Sequence, residues 1–230
     1  MQITAFSDTH GYLPRLTKKT DVVVICGDII PLDIQQSAIL SAIWLKETFL
    51  PYLESLPCGQ VVWTWGNHDF LGEWMMRDPE IVKGYLGLSD FETQKIHLLV
   101  DEGFEYEGHK FWGSPWIGVL RNWAFYDTPE GLAEHFALIP ENIDVLLTHA
   151  APKIRRFGKI CQRDAKGFGK DCGSIELAAA AFHSHPKLHV FGHIHSGSHT
   201  PLVVEETKFC NVSILDEKYQ KHYLPAHFEI

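Results

Sequence analysis

The sequence predicts an α/β protein built in layers. Short apolar runs rich in β-branched residues alternate with longer segments of helical period, and hairpin-like pairs of apolar runs follow. Such alternation packs helices against the faces of a sheet. The 230 residues show neither an internal repeat nor a linker, which predicts a single domain over residues 1–230.

The first part of the chain contains three predicted strands and one long helix. The strands are short apolar runs at 2–7, 21–26 and 60–65. A helix is predicted over about 33–50, because Asp33 is a suitable N-cap with Gln36 three residues later. Its buried face is predicted from apolar residues at helical spacing, namely Ile39, Leu40, Ile43, Trp44 and Leu50.

The rest of the chain continues the alternation and then adds hairpins. Glu107-Gly108 predicts the turn of one hairpin, and Thr128-Pro129-Glu130 begins a helix, since Thr128 can cap it and Pro suits its first position. A second helix is predicted over about 174–184. Strands are predicted at 96–100, 104–106, 110–113, 143–148, 188–191, 201–205, 208–212 and 223–229.

The composition restricts the classes of function. The net charge is −9, which disfavours general binding to nucleic acid or to an anionic membrane. The chain has no uncharged apolar run of the roughly 18 residues that a transmembrane helix needs, and its first residues do not read as a secretory signal. Five scattered cysteines without a Cys-x-x-Cys motif suit reduced thiols, so we expect a cytoplasmic location.

Polar clusters follow five of the predicted strands. Ligands of α/β sheets bind beyond the carboxyl ends of the strands, so these clusters are expected to meet at one edge. Imidazole and carboxylate groups together suit divalent ions, and the chain has 14 histidines. The clusters are Asp8-Thr9-His10, Gly27-Asp28, Gly66-Asn67-His68-Asp69, Thr148-His149 and Gly192-His193-Ile194-His195.

The number of candidate ligands indicates two ions rather than one. A single structural ion takes about four ligands. Two ions that share a bridging carboxylate fit a larger set, and ion pairs about 3.5–4 Å apart are typical of phosphatases and nucleases. The seven candidate ligands are Asp8, His10, Asp28, Asn67, His149, His193 and His195.

This ordered set of motifs resembles the calcineurin-like metallophosphoesterases, over the chain from Asp8 to His195. The resemblance implies a double β-sheet sandwich flanked by helices, with the site at the carboxyl ends of the strands. It implies that His68 is a catalytic histidine facing the substrate phosphate, and that the neighbouring Asp69 orients it. It also implies that one ion is bound by Asp8, His10, Asp28 and His195, and the other by Asp28, Asn67, His149 and His193.

The segment after Asp28 separates this chain from one branch of the family. Protein Ser/Thr phosphatases carry an Asp and Arg pair there, whereas residues 29–34 contain no Arg. Residues 12–16, 113–116 and 122–125 instead resemble the small MPPED-type branch, whose members are metal-dependent phosphodiesterases often tested on cyclic nucleotides. We therefore expect a phosphodiesterase acting on a small nucleotide-like substrate, with cyclic nucleotides among the candidates. A phosphomonoesterase, a nuclease and a non-catalytic scaffold of the same fold stay open as alternatives.

The expected mechanism is hydrolysis by a hydroxide that bridges the two ions. Metal binding lowers the pKa of water to about 7, which supplies a nucleophile at neutral pH. His68 would donate a proton to the leaving group or form a hydrogen bond with it. The ligand set accepts Mn, Fe, Zn, Ni or Mg, and manganese is the favoured expectation.

Two further segments are candidates for substrate binding. Residues 153–171 hold seven Lys or Arg and two Asp, a net charge of +5, which leaves −14 for the rest of a chain whose total is −9. This basic segment is either a solvated loop or a rim that steers anionic substrate, with Arg155 and Arg156 as contacts. Trp116 and Asn122 are candidates for lining a pocket in which a base stacks, although core packing is the commoner role of a tryptophan.

Overall fold

Two mixed β-sheets form the centre of the protein. A computed structural model describes residues 1–78 and 93–230, and eleven strands lie in those ranges. In chain order they are β1 (Gln2–Phe6), β2 (Thr20–Cys26), β3 (Cys58–Thr64), β4 (Ile96–Leu98), β5 (Glu102–Tyr106), β6 (His109–Ser114), β7 (Val145–Thr148), β8 (Leu188–Phe191), β9 (Leu202–Val204), β10 (Thr207–Asn211) and β11 (Ala226–Glu229).

The first sheet has the order β11-β1-β2-β3-β4, and the second has the order β5-β6-β7-β8-β10-β9. Strands β1 to β4 run parallel to one another, as do β6, β7, β8 and β10. The antiparallel strands β11, β5 and β9 close three of the sheet edges. The carboxyl ends of the parallel strands thus lie on one side of each sheet.

Helices cover the outer faces of the sheets. They are α1 (Ala38–Trp44), α2 (Leu50–Ser55), α3 (Phe70–Arg77), α4 (Pro129–Phe136) and α5 (Ile175–Ser184), and a π-helical turn, Leu45–Phe49, joins α1 to α2. Helices α1 to α3 pack on the first sheet, and α4 and α5 pack on the second. This arrangement confirms the predicted α/β sandwich flanked by helices.

Alternation along the strands builds the core. In β2, Val22 and Val24 point between the two sheets, whereas Val23 and Ile25 point towards the helices, which is the two-residue period of a strand. The apolar residues of the layer between the sheets include Val145 of β7. Burial on both faces explains why these strands read as continuous apolar runs.

The hairpin between β5 and β6 confirms its predicted turn. Glu107 and Gly108 both have positive φ angles, of 49° and 76°. A tight two-residue connection between twisted strands needs this left-handed backbone, which glycine adopts without strain. Tyr106 and His109 consequently pair across the hairpin.

The first helix differs from its prediction in both its start and its buried face. Ser37, not Asp33, is the N-cap, and its side chain accepts a hydrogen bond from the Leu40 backbone N–H at 3.3 Å. Residues 32–36 form turns instead of helix. Of the predicted stripe, Ile39, Leu40 and Ile43 are 63%, 49% and 46% exposed, whereas the buried stripe is Ala42, Leu45, Phe49 and Leu53. The segment carries two apolar stripes at helical spacing, and the π-helical turn keeps the second one against the sheet.

Among the described residues, no helix has the length and apolar character required to cross a bilayer. All five cysteines lie within the described ranges and are free.

Candidate metal centre

The predicted ligands lie where the two sheets meet, just beyond strand carboxyl ends. The first sheet supplies four of them, which follow β1, β2 and β3, and the second supplies three, which follow β7 and β8. The backbone is left-handed at Asp8, His10, Asp28 and His193, with φ angles of 55°, 44°, 53° and 69°. Such angles are uncommon for residues other than glycine and cluster at functional sites.

Two glycines allow these ligands to come close together. A Cβ atom on Gly66 would lie 2.3 Å from Asp28 Oδ1, and one on Gly192 would lie 2.3 Å from Asp8 Oδ2. Both distances are too short for any side chain. The glycines in these two motifs are therefore required by the approach of a carboxylate to the backbone.

Asp8 is fixed from several directions. Ser213 Oγ donates a hydrogen bond of 2.6 Å to Asp8 Oδ2, and the His193 backbone N–H donates one of 3.0 Å to Oδ1. His195 Nε2 lies 3.3 Å from the same Oδ1. His195 Nδ1 donates to the Asp216 carbonyl at 2.8 Å, which directs Nε2 towards Asp8.

Asp28 occupies the centre of the site. Its Oδ2 atom lies 3.4 Å from His149 Nε2, 3.7 Å from His10 Nε2 and 4.0 Å from His68 Nε2. Its Oδ1 atom accepts a hydrogen bond of 2.8 Å from the His68 backbone N–H. Asp28 is thus surrounded by three imidazoles, a position that suits a ligand shared between two ions.

His149 is oriented by the first sheet although it follows a strand of the second. Its Nδ1 atom donates to the Cys26 carbonyl at 2.8 Å, so Nε2 is the nitrogen that faces the site. Asn67 Oδ1 lies 3.0 Å from this Nε2. The His193 ring lies 5.1 Å from the His149 ring, measured between centroids.

The ring of His10 shows that the site suits a cation. Both of its nitrogens are buried, and neither has a hydrogen-bond partner within residues 1–78 and 93–230. Leaving buried polar atoms without partners costs about 1–3 kcal/mol, a cost that metal ligation removes. Ligand atoms lie within 4.8 Å of one another in three groups, Asp8–His10–His195, His10–Asp28–His68 and Asp8–Asp28–His149. The nitrogen and oxygen donors of these groups fit two divalent ions.

Burial and mutual charge set the protonation of these groups. Burial lowers the pKa of His10 and of His193 to about 3, which favours the neutral imidazole that binds metal. Burial alone would also lower the pKa of His149 and His195, but the carboxylates of Asp28 and Asp8 outweigh it and raise each to about 9. The pairing of Asp28 with His149, and of Asp8 with His195, holds the pKa of each carboxyl group below its usual range despite burial.

Asp69, the residue expected to orient His68, accepts its hydrogen bonds from the backbone. Its Oδ2 atom accepts from the backbone N–H groups of Asp28 and Gly66, both at 2.8 Å, and its Oδ1 atom accepts from those of Ile29 and Ile30, both at 3.0 Å. Burial, followed by the charge of Asp28, raises its pKa to about 7, and the N–H bonds oppose that rise. Asp69 therefore holds the loop that carries Asp28.

The ring of His68 is oriented by Gln35 instead. His68 Nδ1 lies 2.6 Å from Gln35 Oε1, and because this oxygen can only accept, the proton is on Nδ1. Gln35 lies in the turns before α1, within the segment predicted to be helix. No motif signalled it, since the sequence pattern placed it on the first turn of a helix.

A cavity of about 410 Å³ opens above the ligands. Trp123 and Tyr219 form aromatic walls: the Trp123 ring centroid is 4.1 Å from that of His68, and the Tyr219 centroid is 4.9 Å from that of His10. The basic segment contributes Lys166 and Lys170 to the lining. The sequence signalled neither Tyr219 nor Glu217, which also lines the cavity and comes after the last motif.

The four predicted substrate contacts lie elsewhere. Arg155 and Arg156 line a neighbouring groove beside the loop 196–201. Trp116 is part of a different network, since its Nε1 donates to Asp101 Oδ2 at 2.6 Å and its ring stacks on His135. Asn122 is exposed with a φ of 70°, and the segment reaches the cavity through its neighbour Trp123. Backbone direction, which the sequence pattern does not reveal, decides which of two adjacent residues points inward.

The sandwich and the clustered His, Asp and Asn side chains are those of the metallophosphoesterase class, which typically uses a binuclear divalent metal centre. The family model "Calcineurin-like phosphoesterase" matches residues 1–197, and the chain belongs to that family.

Individual relatives agree with this assignment. The chain is 29% identical over 234 residues to metallophosphoesterase domain-containing protein 1 of Homo sapiens, covering 93% of this chain and 66% of the human protein. A UPF0046 protein of Caenorhabditis elegans is 33% identical over 150 residues, or 64% of this chain and 36% of that protein. The chain thus spans less than two thirds of the length of these relatives. A crystal structure with 13% identity superposes with a TM-score of 0.64 over 91% of this chain and 89% of its own, which supports the fold.

Proposed function

We propose that this phosphoesterase is a phosphodiesterase that hydrolyses a small nucleotide-like phosphodiester, cyclic nucleotides included. The lining of the cavity above the metal ligands carries the proposal. Trp123 and Tyr219 offer flat faces on which a base can stack, beside the His68 and His10 rings. Lys166 and Lys170 add positive charge that attracts a phosphate.

The charge of the lining favours a diester over a monoester. Within the described part of the chain, the cations that line this cavity are two lysines, and no arginine lines it. Arginine holds a dianionic monoester by bidentate hydrogen bonds, whereas lysine acts as a point charge. The phosphate of a diester carries a single charge and needs less positive charge to bind it. The aromatic walls suit the two organic substituents of a diester.

The seven ligands would share the ions as the family resemblance implies. Asp8, His10, Asp28 and His195 would hold one divalent ion, and Asp28 would share the other with Asn67, His149 and His193. Two bound ions supply Lewis-acid activation of water and neutralise charge on the phosphate. Manganese is the favoured metal, since hard oxygen ligands accompany imidazole here.

His68 would act on the leaving oxygen. Its Nδ1 proton is held by Gln35, so Nε2 is the atom that faces Asp28 and the cavity. Because Nδ1 keeps its proton, only the imidazolium form of His68 carries a proton on Nε2. That proton can pass to the leaving oxygen, which leaves neutral His68, or be shared with it in a hydrogen bond. Trp123 lies against the His68 ring and restricts its rotation.

Hydrolysis of a substrate panel tests the proposal. The panel comprises p-nitrophenyl phosphate, bis-p-nitrophenyl phosphate, 2′,3′- and 3′,5′-cyclic nucleotides and single-stranded DNA, each with Mn, Zn, Mg, Ni or Fe. We expect the highest kcat/KM for a small diester with Mn. A higher kcat/KM for the monoester or for the DNA would favour the monoesterase or nuclease alternative.

A variant of the aromatic wall tests the stacking argument separately. Trp123→Ala should raise the KM for the best cyclic nucleotide about ten-fold, because stacking contributes about 1–3 kcal/mol per base. Trp123→Phe keeps a flat ring and should restore most of the affinity. An unchanged KM in Trp123→Ala would show that the base does not contact this wall.

A cytoplasmic location remains our expectation, since all five cysteines are free.

A further inference from the structure

A groove beside the metal cavity carries the two arginines of the basic segment. It consists of two adjoining cavities, of about 410 Å³ and 280 Å³, that share Arg156, Ser198 and Thr200. Arg155 lines the smaller cavity, and Tyr223 lines the larger one. We call this the arginine groove.

Among the described residues, no carboxylate forms an ion pair with the arginines of the groove. Three ion pairs join a Lys or Arg to an acidic residue in the described part of the chain, Arg77–Glu73, Lys187–Asp144 and Lys218–Asp164. None of them uses a cation of residues 153–171. Arg156 Nη2 donates a hydrogen bond of 3.3 Å to Cys161 Sγ, and neither arginine has a carboxylate partner in the described part of the chain. In a chain whose remainder carries −14, such arginines lining a concave surface mark a place that attracts an anion.

The groove and the metal cavity are separated by a thin wall. Ser196 Oγ donates to Glu217 Oε1 at 2.7 Å and accepts from the Cys161 backbone N–H at 2.9 Å. Glu217 lines the metal cavity, whereas Ser196 and Cys161 line the groove. One ligand can therefore extend over this wall from one site to the other.

The loop that forms the groove is tied directly to a metal ligand. It begins one residue after His195, and His199 Nε2 donates to the His195 carbonyl at 2.8 Å. The His199 ring stacks on Tyr223 with centroids 3.5 Å apart. The Ser198 backbone N–H donates to the Arg156 carbonyl at 3.1 Å, which joins the arginine segment to the same loop.

We propose that the arginine groove binds a second phosphate group, distinct from the one that is hydrolysed. Guanidinium groups bind phosphate oxygens in a bidentate manner, and the hydroxyls of Ser198 and Thr200 add donors. The position of the groove makes the substrate itself the source of this phosphate, an interpretation that rests on the proposed function. The preferred substrate is then a nucleotide-like diester that bears an additional phosphate.

Two chromogenic esters separate the sites. Thymidine 5′-(p-nitrophenyl phosphate) has only the scissile phosphate, and its 3′-phosphorylated derivative has the same leaving group and one more phosphate. The wild-type enzyme loaded with Mn should show a KM about ten-fold lower for the second ester, the size of one charge-assisted contact. In the double variant Arg155→Gln/Arg156→Gln, the ratio of the two KM values should fall to about one.

A matched variant controls for general charge. Arg163 lies in the same basic segment but is not among the residues that line the three cavities, so Arg163→Gln should keep the ten-fold ratio. Low salt should enlarge the ratio in the wild type and leave the double variant unaffected. Melting temperatures of both variants confirm that they are folded.

Calorimetry with inorganic phosphate distinguishes the source of the ligand. If the two esters have equal KM values but the wild-type holoenzyme binds one more inorganic phosphate than the double variant, the groove takes a free anion. Equal KM values together with equal phosphate stoichiometry would overturn the proposal. Failure of the wild type to hydrolyse either ester would instead refute the proposed function, and the calorimetric comparison would still test the groove.

Discussion

Replacing Asp69 with Asn gives the sharpest test of how the site is held together. The carboxylate accepts four backbone hydrogen bonds, two on each oxygen, from the residues Asp28, Ile29, Ile30 and Gly66. Asn has nearly the same shape but only one acceptor oxygen. Two buried N–H groups would then face the amide NH₂ group and lose their acceptor.

The size of the effect follows from those two lost bonds. A buried donor without an acceptor costs about 1–3 kcal/mol, so Asp69→Asn should cost about 4 kcal/mol of the free energy of unfolding. For a chain of this length that corresponds to a fall in Tm of about 10 °C. Because the affected loop carries Asp28, metal affinity should fall as well. Thermal unfolding followed by circular dichroism and a metal titration by calorimetry measure the two effects.

Asp33→Asn provides the matched control, since Asp33 is exposed and undergoes the same chemical change. Its Tm should stay within about 2 °C of the wild-type value, as is usual for surface substitutions. The alternative role of Asp69, orienting the His68 ring, predicts a different pattern. If Asp69→Asn lost kcat while keeping wild-type Tm and metal affinity, the structural role assigned to this carboxylate would be refuted.

Three other changes test separate parts of the molecule. Gln35→Leu removes the acceptor for His68 Nδ1. It should lower kcat about ten-fold, most for substrates with poor leaving groups, and change KM little. Equal losses of kcat for good and poor leaving groups would argue against the role of Gln35 in orienting His68. Asp28→Asn removes the central carboxylate and should abolish metal-dependent hydrolysis. Full activity of this variant after its metal is stripped and reloaded would contradict the prediction. Burial lowers the pKa of His189 from 6.5 to about 3, so the stability contributed by its neutral form is fully present above pH 6.5 and declines as the pH falls towards 3. At about pH 5 the loss amounts to about 2 kcal/mol relative to neutral pH. His189→Leu should remove this loss in urea unfolding, and an unchanged pH dependence would contradict the argument.

The strands of the sandwich were the most predictable part of the fold. Runs such as Val22–Ile25 are buried on both faces, so only their β-branched composition and length are needed to recognise them. The first helix was less predictable because its segment contains two apolar stripes. Which stripe is buried depends on the neighbouring sheet and on the π-helical turn, and neither leaves a local signal.

The candidate site also contains residues that the sequence predicted and residues that it did not. Each predicted ligand follows a strand directly, so the order of the motifs was enough to bring Asp8, Asp28 and His149 together. Gln35 and Tyr219 reach the site from turns whose direction is set by tertiary packing. The sequence showed a basic segment of 19 residues, 153–171, but only its folded path assigns Lys166 and Lys170 to one cavity and Arg155 and Arg156 to another.

Because the candidate ligands come from two different sheets, ion binding would be coupled to the cohesion of the sandwich. Asp28 belongs to one sheet and His149 to the other, and His149 is in turn bonded to the Cys26 carbonyl across the layer between them. By thermodynamic linkage, an ion held by both sheets stabilises their association in proportion to its occupancy. Loosening the packing around Cys26 should then weaken metal affinity without touching a ligand.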